Sequence, residues 1–256
     1  MRSHTTTTHS WTYIRIFFGL VAALLISLFI PYLGDTELDQ YLYSSAVNIG
    51  ILYAMVVGFL MMIVINRKQA LDGQISLELN KLRRIYHLGK HVSTGKEGGA
   101  TWFKILDKAL TDYLKAFGKR DFSEYDAGNA LHRKITYAVY ALPDYVQDYV
   151  SELYTSLLEA TGEVTEARER LHSLKDASIG NFQWIVTISM TLIFGLLLAI
   201  DSPLTFLTRF ITFALLFNLS LMIQLIYEYD QMNDKKRRFY SQLYTDNVKS
   251  MRTIGK

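Results

Sequence analysis

The sequence contains no cysteine and only three prolines among its 256 residues. Without cysteine it can form neither a disulfide nor a thiolate-based zinc or iron–sulfur site, and it has no thiol nucleophile. Pro31 and Pro203 stand at the ends of predicted membrane helices, and Pro143 opens a predicted cytoplasmic helix. A net charge of +3 is too small to indicate nucleic-acid binding. These absences exclude thiol chemistry. The informative feature is instead how charged and apolar residues are separated along the chain.

Charge is nearly absent from four apolar segments, although one residue in five of the whole chain is charged. A bilayer is crossed by about 20 predominantly apolar residues in a helix. Four helices buried in a soluble protein are disfavoured, because runs of this length and hydrophobicity are typical of membrane spans. The sequence therefore predicts an all-α membrane protein with four transmembrane helices: Ile16–Leu33, Ala46–Ile65, Phe182–Ile200 and Leu204–Tyr227.

The placement of lysine and arginine predicts the orientation of these helices. The loop 31–45 contains acids and no basic residue, and the turn 201–203 also has no basic residue. Basic residues cluster on the cytoplasmic side of membrane proteins. Both termini and the central segment are therefore predicted to be cytoplasmic, in a multi-pass protein of the cell (inner) membrane. The basic residues that carry this prediction are Arg2, Arg15, Arg67, Lys68 and the run Lys235–Arg238.

The same pattern divides the chain into segments. We expect a cytoplasmic helical bundle between the second and third membrane helices. An apolar stripe from Leu71 to Tyr86 continues the second membrane helix, and a heptad seam runs from Val146 to Leu174 in a helix predicted over 144–176. The predicted segments are a cytoplasmic N-terminal segment 1–15, a first transmembrane pair 16–66, a cytoplasmic helical domain 67–181, a second transmembrane pair 182–227, and a cytoplasmic basic tail 228–256.

The second membrane helix has one face of small, apolar and amide side chains. Such a face suits two structures: a close helix–helix seam, or the lining of a pore whose apolar constriction gates by dewetting. The residues alone leave both open. The candidates for lining a pore are Asn48, Ile51, Met55, Gly58, Met62 and Asn66. Asp35, Glu37 and Asp39 would lie at the outer mouth, and Arg67 and Lys68 at the inner mouth.

Three further polar residues are candidates for functional sites. Arg209 lies within the fourth span, where a charge is costly; it is expected either to reach the surface or pair with an acid, or else to face ions. His87 and His91 have a zinc-like i, i+4 spacing, but no third ligand can be placed with them. No catalytic triad, phosphate-binding glycine loop or metalloprotease motif occurs. We therefore expect no enzymatic activity, no resident metal and no cofactor.

Two stretches resemble the bestrophin-like family of bacterial membrane proteins. They are "GFLMMIVINRKQALDGQISLELNKLRRIYHL" and "EARERLHSLKDASIGNFQWIVTISMTLIFGLLL". Alanines usual around the family's asparagine are leucines here, and a frequent linker proline is replaced by Gly180-Asn181. The matching residues are Gly58, Phe59, Arg67, Glu78, Asn80, Arg84 and Tyr86 in the first stretch, and Ala167, Arg168, Arg170, Leu171 and Trp184 in the second.

This resemblance implies a pentameric channel with the second membrane helix around the pore and a helical cytoplasmic domain extending it. The expected function is an oligomeric channel for monovalent ions, with cations slightly favoured over chloride because acids would line the outer mouth. The expected partners are the lipid bilayer, inorganic ions and copies of the same chain, with no nucleic acid. The alternative is a non-conducting membrane scaffold or sensor that acts through its cytoplasmic helices.

Overall fold

The computed structural model describes residues 7–32, 36–94, 98–119, 122–147, 150–232 and 234–253. Within these ranges the regular structure is helical and contains no strand, so the predicted all-α fold is confirmed. A short 3₁₀ helix, Phe122–Gly128, precedes α4. The α-helices are α1 Thr7–Phe29, α2 Thr36–Ser93, α3 Gly99–Lys119, α4 Asn129–Tyr140, α5 Asp144–Gln147, α6 Ser151–Lys175, α7 Asn181–Ile200, α8 Phe206–Asp230 and α9 Asp234–Thr253.

The chain forms two compact units. The first comprises Met1–Lys68 and Ser178–Asn233, and the second comprises Gln69–Ala177 and Asp234–Lys256. The chain therefore passes between the units three times: within α2, before α7 and after α8. The segment predicted as a basic tail, 228–256, contains the end of α8 and all of α9, and α9 belongs to the second unit. The apolar and aromatic residues that α9 buries recur at helical spacing, which explains this packing: Tyr240, Tyr244, Val248 and Met251.

In the first unit, four of the described helices are long and apolar enough to cross a membrane by length and composition: α1, α2, α7 and α8. Helix α1 runs antiparallel to α8. Near its start the Thr12 hydroxyl donates to Glu228 at 2.7 Å. Near its end the Ser27 carbonyl accepts from Arg209 at 2.9 Å. Small residues at the crossing, such as Gly19, allow the close approach that packs helices in membranes.

One face of α2 packs against α7 and α8. The residues of this face recur at helical spacing, and Tyr53 stacks on Phe194 with ring centroids 5.5 Å apart. Its apolar cluster is completed by one residue before α7 and one from α8. The buried members of the cluster are Tyr53, Val57, Leu60, Val64, Ile179 and Ile226.

In the second unit, α9 lies parallel to the later part of α2. The Tyr240 hydroxyl donates to Asp72 at 2.6 Å. Two turns further along α9, the Asn247 amide donates to the Leu79 carbonyl at 3.0 Å. The two contacts join residues with the same separation of 168 positions, as a parallel pairing requires. Helix α2 is continuous from its uncharged apolar part into its charged later part. That later part, from Gln69 onwards, belongs to the second unit.

The helix predicted over 144–176 is divided in the structure. Helix α5 ends at Gln147 and α6 begins at Ser151, with Val150 in a non-helical conformation (φ −130°, ψ 36°). The apolar heptad pattern continues across this break, so periodicity alone does not reveal it. Beyond the break, the second unit itself buries the seam residues Leu157, Ala160, Val164, Ala167 and Leu171.

A substitution at Gly19 tests the close packing of α1 on α8. A Cβ at Gly19 would overlap the Ser220 hydroxyl oxygen and lie 3.1 Å from the Ser220 Cβ. Gly19→Val is expected to destabilise the purified protein by about 1–3 kcal/mol through overpacking, measured by thermal unfolding in detergent. Adding Ser220→Gly should recover part of the loss.

The matched control is Gly162→Val on α6, because no atom lies within 4 Å of a Cβ placed there. It carries the same change in helix propensity without the clash. Equal melting temperatures for the two variants would contradict the packing described here.

Candidate functional site

The predicted pore face of α2 is uncovered by the rest of the chain. Met55, Met62 and Ile51 have exposed fractions of 66%, 52% and 50%. Gly58 is also exposed, and a Cβ added there would meet nothing within 4 Å. The two asparagines at the ends of this face are exposed as well. The chain's own helices therefore do not form the seam that was one interpretation of this pattern.

The uncovered face lies opposite the packed face. Met55 and Met62 each lie two residues before a buried residue, Val57 and Val64. Two residues rotate a helix by about 200°. A helix with one apolar face in the protein core and the other uncovered must meet lipid, water or another copy of the chain on that second side. Charge is absent from the membrane part of this face, which ends at Asn66.

The structure describes the side chains predicted for the inner mouth but not those predicted for the outer mouth. Asp35 of the outer mouth lies outside the described residues, as do the side chains of Glu37 and Asp39. The inner mouth is described. Lys68 lies over the Tyr229 ring, with its Nζ 5.3 Å from the centroid.

Arg67, which was predicted to lie at the inner mouth, is held by Asp230 at the end of α8. Its Nη1 lies 2.9 Å from Asp230 Oδ1, and its Nη2 donates to the Asp230 carbonyl at 2.5 Å. The same Oδ1 accepts the Ile179 backbone N–H at 2.9 Å. The Asp230 side chain is 1% exposed and that of Arg67 is 17% exposed. Arg67 is therefore not the free positive charge expected at a pore mouth, because Asp230 neutralises it.

Arg209 is buried and contacts α1. Its Nη1 donates to the Ser27 carbonyl at 2.9 Å, and only 8% of the residue is exposed. Ser27 lies in the last turn of α1, where unpaired carbonyls give a helix a partial negative charge. Neither snorkelling to the surface nor a role in facing ions fits this burial. The partner of Arg209 is the partial negative charge of a helix end, which the sequence pattern did not suggest.

The histidine pair of α2 is not part of a metal-binding cluster in the described part of the chain, where no group of three or more potential ligands occurs. His91 is exposed, whereas the His87 ring packs edge-on against Tyr86, with centroids 5.5 Å apart. Burial, reinforced by the charge of Lys90, lowers the pKa of His87. These contacts fit a neutral, partly packed side chain.

A buried carboxylate cluster occupies the second unit, and sequence reasoning assigned it no role. Glu78 is fully buried and accepts hydrogen bonds from Tyr125 at 2.9 Å and Tyr244 at 2.5 Å. Tyr113 donates to the same carboxylate, and Arg168 lies 3.4 Å from it. A buried charge is tolerated when it is paired and fully hydrogen-bonded. This cluster meets both conditions. It joins α3, the 3₁₀ helix, α6 and α9 to one side chain of α2.

The electrostatics of the cluster keep its tyrosines neutral. Burial, reinforced by the Glu78 carboxylate, raises the pKa of Tyr113 and of Tyr244 well above the ordinary value. They remain hydrogen-bond donors at physiological pH. A sequence signal for the cluster existed, since Glu78 and Arg168 each stand in one of the two stretches that carry the family resemblance. Their contact across 90 positions could be found only once the fold was known.

Comparisons with known proteins agree with this architecture. A family model of the bestrophin-like domain matches residues 17–234. No curated protein matches the sequence. A crystal structure of a bacterial bestrophin homologue from Klebsiella pneumoniae, carrying a point mutation, superposes with a TM-score of 0.73 at 13% identity, covering 94% of this chain and 100% of that one.

Two further crystal structures show the same fold. A membrane protein with a point mutation has a TM-score of 0.67 at 12% identity, covering 94% of this chain and 98% of that one. Another mutant of the Klebsiella pneumoniae homologue has a TM-score of 0.59 at 12% identity, covering 97% and 99%. At these identities the superpositions establish the fold, and the family match rests on the sequence.

Removing the charge of Asp230 is expected to destabilise the first unit. Asp230→Asn keeps an acceptor for Ile179 but leaves the partly buried Arg67 without its counter-ion, a loss of about 3 kcal/mol. Thermal unfolding in detergent measures it. The double variant Arg67→Met/Asp230→Leu should lose less stability than the sum of the losses in Arg67→Met and Asp230→Leu, since only the double variant leaves no unpaired charge. Strict additivity would contradict the proposed pairing.

His132 of α4 gives the second unit a pH dependence. Burial, together with the charge of Arg168, lowers the pKa of His132 from 6.5 to about 4. The unfolded chain therefore takes up a proton below about pH 6.5 that the folded unit resists. Stability should be full above that pH and fall as the pH drops towards 4.

The melting temperature of the purified protein, followed from pH 7 to pH 4.5, measures this effect. His132→Leu should flatten the decline, whereas His91→Leu, at an exposed position of α2, should leave it at the wild-type slope. If both variants decline in parallel with the wild type, His132 does not make the proposed contribution.

Proposed function

Because the chain belongs to the bestrophin-like family, we propose that it is an oligomeric ion channel, a pentamer, with the uncovered face of α2 around the pore. The single observation that carries this proposal is that face itself. It is free of charge within the membrane, uncovered by the chain, and placed opposite the side that packs on α7 and α8. A ring of such helices would bring the uncovered faces together at an axis.

The proposed pore has polar ends and an apolar middle. Asn48 would lie at the outer end and Asn66 at the inner end, where amides can replace part of an ion's hydration shell. Met55 and Met62 would form the narrowest, least polar rings between them. An apolar constriction can stop conduction by excluding water, so a small rotation or tilt of α2 would gate the channel.

The proposed selectivity is for monovalent cations over chloride. Asp35, Glu37 and Asp39 of each subunit would concentrate cations at the outer mouth. The opposing positive charge of the inner mouth is reduced by half, because Asp230 neutralises Arg67, whereas Lys68 keeps its charge over the Tyr229 ring. This removes much of the argument for an anion-attracting inner ring. In the proposed orientation both termini and the second unit are cytoplasmic.

The absence of cysteine makes a direct test possible. Met55→Cys and Met62→Cys place single thiols on the proposed pore face. In liposomes containing the purified protein, a membrane-impermeant cationic thiol reagent should react with them and sharply reduce cation flux, because a fixed charge and added bulk would occupy the pore. A reversal potential near that of the cation gradient would support the selectivity.

Ile185→Cys is the control, since that residue is 63% exposed and belongs to α7, not to the proposed lining helix α2. Its modification should leave flux unchanged. The wild type, which has no thiol, should be insensitive. Flux that is absent at every voltage and pH would reject the channel and favour a scaffold or sensor, whose pore-face variants change assembly alone. Equal effects at Ile185 and Met55 would reject α2 as the lining helix.

A further inference from the structure

A groove of about 400 Å³ runs along the first unit between α1, α7 and α8. It is independent of the proposed pore face, because no α2 residue lines it. Its rims are formed by long apolar side chains, among them Leu192 and Leu196, which are 57% and 45% exposed. Its floor is formed by small residues such as Ala23 and Gly195, which are buried.

The close packing of the helices gives the groove its depth. At Gly195, an added Cβ would lie 3.1 Å from the Leu216 side chain. At Gly19, it would overlap Ser220. The backbones therefore approach at the floor while larger side chains stand apart at the rims. The result is a narrow, mostly apolar groove in the surface of the helices, and its shape fits a flexible hydrocarbon chain.

A cation stands one helical turn beyond one end of this groove. Arg15 precedes the lining residue Gly19 by four positions on α1, and Tyr227 follows the lining residue Ile223 by four positions on α8. The exposed Arg15 guanidinium lies over the Tyr227 ring, 4.3 Å from its centroid, and its Nη2 is 3.4 Å from the hydroxyl. The Tyr227 ring thus holds the Arg15 guanidinium just beyond the end of the groove.

The acidic neighbour of this cation is already engaged. Glu228, the next residue along α8, accepts hydrogen bonds from Thr12 at 2.7 Å and from Gln224 at 3.4 Å. The Arg15 guanidinium itself is exposed and lies against the Tyr227 ring. A guanidinium matches the oxygens of a phosphate with paired hydrogen bonds, and such charge-assisted bonds are the stronger ones.

We propose that this groove is a binding site for one phospholipid per subunit, with an acyl chain between α1, α7 and α8 and the phosphate on Arg15. Charge complementarity selects this occupant: the groove is lined mostly by apolar side chains, with no charged residue in its lining, and a cation stands beyond its end, as a phospholipid is apolar in its chain and anionic at its phosphate. Within a bilayer the acyl chain is not transferred from water, so its close packing against the groove walls supplies the apolar part of the affinity. The proposal does not depend on ion conduction.

The test counts the phospholipid retained by the full-length purified protein in native mass spectrometry, after exchange from vesicles of phosphatidylglycerol and phosphatidylcholine into mild detergent. Ala22→Trp should fill the groove, since Ala22 is exposed and lines it. Leu25→Trp is the matched control: Leu25 is 49% exposed on the same helix but is not part of the lining. The wild type and Leu25→Trp should retain one phospholipid per subunit, and Ala22→Trp should lose it.

Arg15→Gln tests the phosphate contact without altering the groove. Loss of a charge-assisted hydrogen bond should weaken retention by about tenfold. Diacylglycerol, which has the chains but no phosphate, should be retained as poorly by the wild type as phospholipid is by Arg15→Gln. Inorganic phosphate alone should not displace the lipid, because it lacks the chain.

Several results would overturn the proposal. One is equal retention by Ala22→Trp and Leu25→Trp. Another is equal binding of diacylglycerol and phospholipid, which would show that the phosphate makes no contact that contributes to binding. A third is a change in subunit number caused by Ala22→Trp with lipid content unaffected, because the groove would then be covered by a second copy of the chain.

Discussion

The carboxylate of Asp230 is the interaction on which the arrangement of the first unit depends. It binds Arg67 of α2 and the Ile179 backbone that precedes α7, while itself ending α8. Each of the three passages of the chain between the two units thus begins within a few residues of one side chain. A buried carboxylate is costly to leave unpaired. Its demand for partners therefore fixes three chain segments together where the apolar helices end.

The second unit is organised by the same physical rule with different residues. Glu78 needs donors because it is fully buried, and three tyrosine hydroxyls with Arg168 supply them. Each unit contains one of the two carboxylates, and each carboxylate is paired with an arginine distant in sequence. Such networks favour one register, since a shifted helix would leave a buried charge without partners. Helix α2 takes part in both, as the host of Arg67 and of Glu78.

How much the sequence could predict depends on the range of the interaction. The continuity of α2 followed from local evidence: an uncharged run passing into an apolar stripe without proline. The break between α5 and α6 was missed because the apolar heptads continue across it. Arg209 was interpreted without its partner, since a helix end 182 positions away leaves no trace in the local pattern. Glu78 and Arg168 were visible as motif residues, but a pairing over 90 positions is a property of the fold.

Two of the apolar surfaces that the first unit leaves uncovered differ in shape and charge, so they suit different neighbours. The face of α2 is smooth, uncharged and bounded by Asn48 and Asn66, so copies of itself around an axis can share it without stranding a charge. The groove of α1, α7 and α8 is concave and ends at Arg15, which an identical surface would repel. A bilayer offers phosphate and hydrocarbon in that order along its depth. The placement of one arginine therefore distinguishes the side suited to lipid from the side suited to the oligomer axis.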